Sequence, residues 1–95
     1  MKKLKEIVVY GTRWCGDTKR ARLFFEDHNI DYHFIDIDQD IGGERIVREV
    51  NEGARSVPTI IFSDGSILVE PDEYALLKKN GNFLTKLKII YQRSY

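Results

Sequence analysis

The chain has 95 residues, enough for one domain with a modest core, and a single domain over 1–95 is expected. Its 15 Lys and Arg balance its 15 Asp and Glu, so the basic footprint of a nucleic-acid binder is missing. Hydrophobic residues make up 42% and charged residues 32%, the balance of an ordinary globular protein, and no apolar run approaches the roughly 18 residues that would span a bilayer.

The elements follow in chain order. Met1 to Glu6 is basic, and the apolar stretch after it, Ile7 to Tyr10, is too short for a signal-peptide core. That β-branched and aromatic stretch reads as a buried strand ended by Gly11-Thr12. From Asp17 to His28, Ala21, Phe24 and Phe25 recur at helical spacing among charged residues, and Asn29 is an end signal. Tyr32, Phe34 and Ile35 begin a second strand running towards Ile37. Ile46, Val47 and Val50 give a second helix over Glu44 to Asn51, with Gly53 as its C-terminal signal. Gly42-Gly43 reads as the turn into it.

Pro58 to Phe62 and Ile67 to Val69 read as a hairpin with its tight turn at Asp64-Gly65. Pro71 suits the first turn of a third helix containing Tyr74, Leu76 and Leu77, which Asn80-Gly81-Asn82 breaks. Phe83, Leu84, Leu87, Ile90 and Tyr91 then predict a C-terminal helix that packs across the domain. The order β-α-β-α-β-β-α-α predicts an α/β fold. Its first two strands should be parallel with a right-handed crossover, its last two antiparallel, in a mixed four-stranded sheet covered by helices.

The single cysteine, Cys15, cannot form an internal disulfide. With no signal-peptide core, that leads to the expectation of a cytoplasmic protein, where thiols stay reduced. Lone cysteines in small domains commonly fill core space. Cys15 stands instead in Trp14-Cys15-Gly16-Asp17-Thr18, at the junction of the first strand and first helix. Unpaired N–H groups and the helix dipole favour a thiolate there. Arg13, Lys19 and Arg20 add positive potential, and Asp17 opposes it. Thr18 occupies the place of the second cysteine in a Cys-x-x-Cys site, and its hydroxyl is suited to donate to the thiolate. Further on, Ser56-Val57-Pro58-Thr59 opens a strand with proline, which by itself is a strand-edge device.

These segments resemble the glutaredoxin branch of the thioredoxin superfamily. The matching residues are Val9 to Gly16, Val57-Pro58-Thr59 and Asp64-Gly65-Ser66, and the order of elements agrees over roughly residues 4–79. Within that branch the sequence is most similar to the mycoredoxin-like small redoxins of bacteria. The resemblance implies a thioredoxin-like fold and a cis Val57–Pro58 bond that turns the Val57 backbone towards the cysteine. It also implies reduction of mixed disulfides between thiolated proteins and a low-molecular-weight thiol, glutathione or an analogue. Cys15 would attack, within the environment of Trp14, Gly16, Asp17 and Thr18. Val57 and Pro58 would align the small thiol, Arg13 would meet its carboxylate, and Glu70 and Asp72 would receive its amine. With Thr18 in the second-cysteine position, the implied activity is monothiol. The Gly-Gly and Ser/Asp segment common in the family is replaced by Glu70-Pro71-Asp72. No tightly bound cofactor is implied, and a monomer is expected.

Two other functions share these residues. Monothiol glutaredoxins of the Cys-Gly-Phe-Ser type carry a [2Fe–2S] cluster. Cys15 and Gly16 match that motif, but Asp17 sets a negative charge beside an anionic cluster. The third reading is a redoxin scaffold without catalysis that serves as a binding module. Other signals carry less. Asp36, Asp38 and Asp40 alternate, but Ile41 and Val47 stand where an EF-hand needs Gly and Glu, so they read as a solvated strand end. His28 and His33 lack metal-ligand spacing and read as surface or boundary residues; no metal site is expected.

Overall fold

The structure is a computed structural model that describes residues 6–80. Four strands, β1 (Ile7–Gly11), β2 (Tyr32–Asp36), β3 (Thr59–Ile61) and β4 (Ile67–Val69), form one sheet in the order β2-β1-β3-β4. β1 pairs parallel with β2 and antiparallel with β3, and β3 pairs antiparallel with β4. The helices are α1 (Gly16–Asp27), α2 (Ile41–Val50) and α3 (Glu73–Lys79). This is the expected mixed four-stranded α/β architecture. The expected C-terminal helix lies outside the described residues.

The side-chain alternation of the strands sorts the core into two layers. Ile7 and Val9 of β1, Ile60 of β3 and Phe62 pack with Ala21, Phe24 and Phe25 of α1 and Leu76 of α3. The intervening Tyr10 packs on the other face with Ile37 and Val47 of α2, joined by Val8, Ile35, Ile61 and Val57. β1 is therefore covered on both faces, which explains its unbroken apolar run. Phe25 is wholly buried, and a side chain of that kind contributes roughly 1.5–3 kcal/mol on burial.

The helix ends follow from identifiable residues. Asn29 takes φ 56° after α1; its N–H donates to the Glu26 carbonyl, and the Ile30 N–H to that of Phe25. That pair of bonds is a Schellman motif with Asn in the left-handed position. α2 begins three residues before the expected Glu44, because the Asp40 side chain caps it by accepting from the Gly43 N–H at 2.8 Å. Gly42 and Gly43 are thus inside the helix, not a turn before it. Gly43 is needed there: a Cβ would lie 2.7 Å from Ile35 Cγ2. Pro71 also falls before its helix, since Asp72 is the N-cap of α3 and accepts from the Ala75 N–H at 2.8 Å.

The hairpin loop is one residue longer than expected. Phe62 N–H donates to Ser66 O, Gly65 N–H donates to Phe62 O, and only Gly65, at φ 88°, takes positive φ. Gly65 closes a three-residue loop in place of a two-residue turn. The strand registers then bring the end of β1, the end of β2, the start of β3 and the end of β4 to one end of the sheet.

Candidate active site

Cys15 sits at that end of the sheet. It is the N-cap of α1, with extended backbone (φ −81°, ψ 124°), and its thiol makes no capping hydrogen bond. It is free and partly exposed. Its N–H reaches the Thr12 carbonyl at 3.4 Å, and its own carbonyl accepts from the Lys19 N–H at 3.1 Å. The cysteine therefore stands at the start of the first turn of α1, next to its unpaired N–H groups. The opposing charge of Asp17 is countered by an ion pair with Arg20 one turn on.

Behind the cysteine the packing is tight. Thr18 is 1% exposed and lies against Gly11. The expected bond from the Thr18 hydroxyl to the thiolate is not made. Oγ1 of Thr18 is buried with no hydrogen-bond partner, as is Oγ1 of Thr12. The physical reason is placement: contact with Gly11 draws the Thr18 side chain towards β1.

The two residues before Cys15 reach towards the β2 edge. Arg13 Nε donates to Asp36 Oδ2 at 3.1 Å, and Trp14 Nε1 donates to Asp38 Oδ2 at 2.9 Å. Asp38 Oδ1 in turn accepts from Arg55, whose Nε donates to Glu44 Oε2 at 3.0 Å. Arg48 joins the same Glu44 oxygen at 3.0 Å and donates to the Gly53 carbonyl at 2.9 Å. Hydrogen bonds from Arg55 hold the carboxyls of Asp38 and Glu44 below the usual carboxylate range, helped by Trp14 at the first and Arg48 at the second. The alternating aspartates are therefore not a merely solvated strand end. Asp36 and Asp38 receive the cysteine loop, and Asp40 caps α2.

On the other side of Cys15 lies the segment before β3. Val57–Pro58 is a cis peptide bond. The Val57 side chain packs on the α2 layer of the core. Among the described residues, no backbone hydrogen bond uses the Val57 N–H or carbonyl. Asn51 Nδ2 donates to the Val47 carbonyl and to Thr59 Oγ1, whose hydroxyl donates to the Ser56 carbonyl at 2.8 Å, so the segment is fastened from both ends.

Of the sequence-predicted small-thiol residues, Pro58 and Glu70 are brought together directly, the Glu70 N–H donating to the Pro58 carbonyl at 2.8 Å. Glu70 and Asp72 also line a cleft of about 370 Å³ between α1 and α3, with Asp17 and Arg20 on the opposite wall and Phe24 and Leu76 in its floor. Arg13 is not part of that cleft, and Trp14 is 72% exposed. Asp36, Asp38, Glu44, Asn51 and Arg55 were missed by sequence reasoning. The one available signal was Arg55, two residues before Val57.

The glutaredoxin family model matches residues 7–67, from β1 through the start of β4. The chain belongs to the glutaredoxin family. It is 37% identical over 65 residues to a Mycobacterium tuberculosis protein named for this family, a match covering 68% of this chain and 77% of that one. It is 32% identical over 68 residues to mycoredoxin 1 of Corynebacterium glutamicum, covering 72% and 84%. A crystal structure of a glutaredoxin from Archaeoglobus fulgidus superposes with a TM-score of 0.63 at 23% identity, covering 82% of this chain and 94% of that one. As a glutaredoxin-family redox protein, the chain has one cysteine for thiol–disulfide chemistry. The matched region contains that cysteine, the Asp38–Arg55 pair and the cis Val57–Pro58 bond. The Glu70–Asp72 wall of the cleft falls just beyond it.

Proposed function

We propose that the protein is a monothiol oxidoreductase that removes a low-molecular-weight thiol from thiolated proteins through Cys15. The Cys15 thiolate attacks the small-thiol sulfur of a mixed disulfide. The protein thiolate leaves and takes up a proton, and the small thiol stays on Cys15 as a new disulfide. A second small-thiol molecule, as its thiolate, attacks the small-thiol sulfur of that adduct. It departs as the symmetrical disulfide and regenerates the Cys15 thiolate. Each cycle consumes one free small-thiol molecule, which leaves joined to the thiol taken from the protein as the symmetrical disulfide, and no metal or second protein cysteine is required.

The observation that carries this reading is the position of Cys15. It is a free, partly exposed cysteine capping α1, inside the stretch that matches the family. The vacant backbone groups of Val57 support a role in pairing with the peptide portion of the small thiol. Glu70 and Asp72, on the cleft wall opposite Asp17, suit an amine at the far end of that thiol. Arg13, held through Nε by Asp36, keeps its two Nη groups for a carboxylate. We take the protein to act as a monomer in the cytoplasm, on thiolated proteins and a glutathione-like thiol.

The test is turnover of a peptide carrying a glutathione or mycothiol mixed disulfide, with the matching free thiol as reductant. The wild-type chain should release the peptide thiol catalytically. Mass spectrometry should catch the small thiol on Cys15, and Cys15→Ser should lose both signals. Equal rates for wild type and Cys15→Ser would end the proposal.

A further inference from the structure

We propose that Asp38 and Arg55 are positioning residues that tie the Trp14–Cys15 loop to the segment ending in Val57–Pro58, so that nucleophile and peptide-binding edge keep a fixed relation. The inference rests on the function proposed above. It concerns two residues that no motif around the cysteine contains.

The geometry is a relay between two loops. Trp14, adjacent to the cysteine, is held by Asp38 Oδ2 at 2.9 Å. The other oxygen of the same carboxylate holds Arg55. Arg55 is two residues from Val57, and its Nε is braced by Glu44 of α2 at 3.0 Å. Trp14 has no comparable support from packing, since it is 72% exposed. Asp38 therefore supplies the hydrogen bond that orients the indole, and Arg55 orients Asp38. Arg55 uses the planar guanidinium fork for two carboxylates at once, which an ammonium group cannot reproduce.

Energetic reasoning favours a positional role over a stabilising one. The Arg55 and Asp38 side chains are each about a third exposed, 32% and 34%. Ion pairs with that much solvent contribute little to folding. Small displacements between reacting groups, by contrast, change rates by orders of magnitude. Removing the relay should therefore alter the site far more than it alters the fold.

The test uses the fact that Trp14 is the only tryptophan, so its fluorescence reports this loop alone. Arg55→Met and Arg55→Lys are compared with wild type, and with Asp38→Asn, which keeps an acceptor for the indole but loses the charge that holds Arg55. Acrylamide quenching of Trp14 should rise in Arg55→Met, although Arg55 does not touch the indole, and rise less in Arg55→Lys. Turnover of the mixed disulfide should fall roughly tenfold in kcat/KM, mostly through KM. Alkylation of Cys15 by iodoacetamide, a reagent that needs no peptide edge, should change by less than about twofold. Should Arg55→Met fail to fold, Arg55→Lys and Asp38→Asn decide the matter with the same readouts. Unchanged quenching and unchanged KM in the folded Arg55 variants would overturn the inference. If the wild-type chain turns over no mixed disulfide, the proposed function fails, while Trp14 quenching still decides whether Arg55 holds this loop.

Discussion

A Cβ placed on Gly11 would stand 2.5 Å from both Cγ2 and Oγ1 of Thr18, so the end of β1 and the first turn of α1 are in direct contact behind Cys15. Neither partner can yield easily, because Gly11 is paired on β1 and Thr18 is 1% exposed. Gly11→Ala should cost about 1–3 kcal/mol through overpacking. Thr18→Ala in the same chain should recover most of that cost, since it removes both atoms in the clash. Urea unfolding of the two single variants and the double variant gives the coupling directly. Simple additivity of the two substitutions would show that the contact is not tight.

The Thr18 hydroxyl itself is an orphan, buried without a hydrogen-bond partner. Such a group carries its desolvation cost with nothing in return. Thr18→Val, which exchanges the hydroxyl for a methyl at nearly the same shape, should therefore raise stability by about 1 kcal/mol. A clear loss of stability would mean that the hydroxyl has a partner in solution, the Cys15 sulfur being the obvious candidate.

Asp38 and Glu44 give the fold a sign-defined response to acid. Hydrogen bonds from Arg55 lower both carboxyls from their ordinary values of 3.8 and 4.5. A carboxyl depressed in the folded state stabilises fully above its unfolded value and loses that contribution as pH falls through the folded one. The urea midpoint should therefore decline below about pH 4.5. In Arg55→Met the part of the decline due to these two groups should shrink to what Trp14 and Arg48 still contribute, flattening the curve. A midpoint with the same acid dependence in both proteins would count against the network in solution.

The frame of this site was legible in the sequence because its cues are local. The apolar run of β1, the helical spacing of Ala21, Phe24 and Phe25, and the Cys15 and Val57–Pro58 segments each announce themselves within a few residues. What was not legible depends on which loops the fold brings together. Asp38 and Arg55 are separated by 17 positions and meet only because β2 and β3 flank β1 at the same end. Thr18 looked free to serve the thiolate because sequence spacing does not reveal the close approach of Gly11. The start of α2 was hidden by Gly42 and Gly43, poor helix formers that are tolerated because Asp40 caps them and Ile35 leaves no room for a Cβ at position 43.

Two residues with left-handed backbone provide a local stability test. Asn29 and Glu52 have φ 56° and 54° and end α1 and α2. Asparagine tolerates that region, whereas glutamate gains nothing from it. Glu52→Gly should stabilise the chain by about 0.5–1 kcal/mol, and Asn29→Val should destabilise it by at least about 1 kcal/mol. Thermal or urea unfolding checks both.

Glu70 offers the sharpest test of substrate charge. Its backbone is fastened to Pro58, and it lines the cleft together with Asp17 and Asp72. Under the proposed function, a thiol bearing an amine at that end should be attracted and one bearing only a carboxylate repelled, with each interaction weakened by salt because the wall is exposed. Reversing the charge with Glu70→Lys should raise kcat/KM for small thiols with a carboxylate there and lower it for those with an amine, each by roughly three- to tenfold at low ionic strength. Both changes should shrink as salt is added. The φ of 50° at position 70 is shared by both residues, so backbone strain does not confound the comparison. Equal shifts for both classes of thiol would show that Glu70 acts on the Pro58 segment and not on the charge of the ligand.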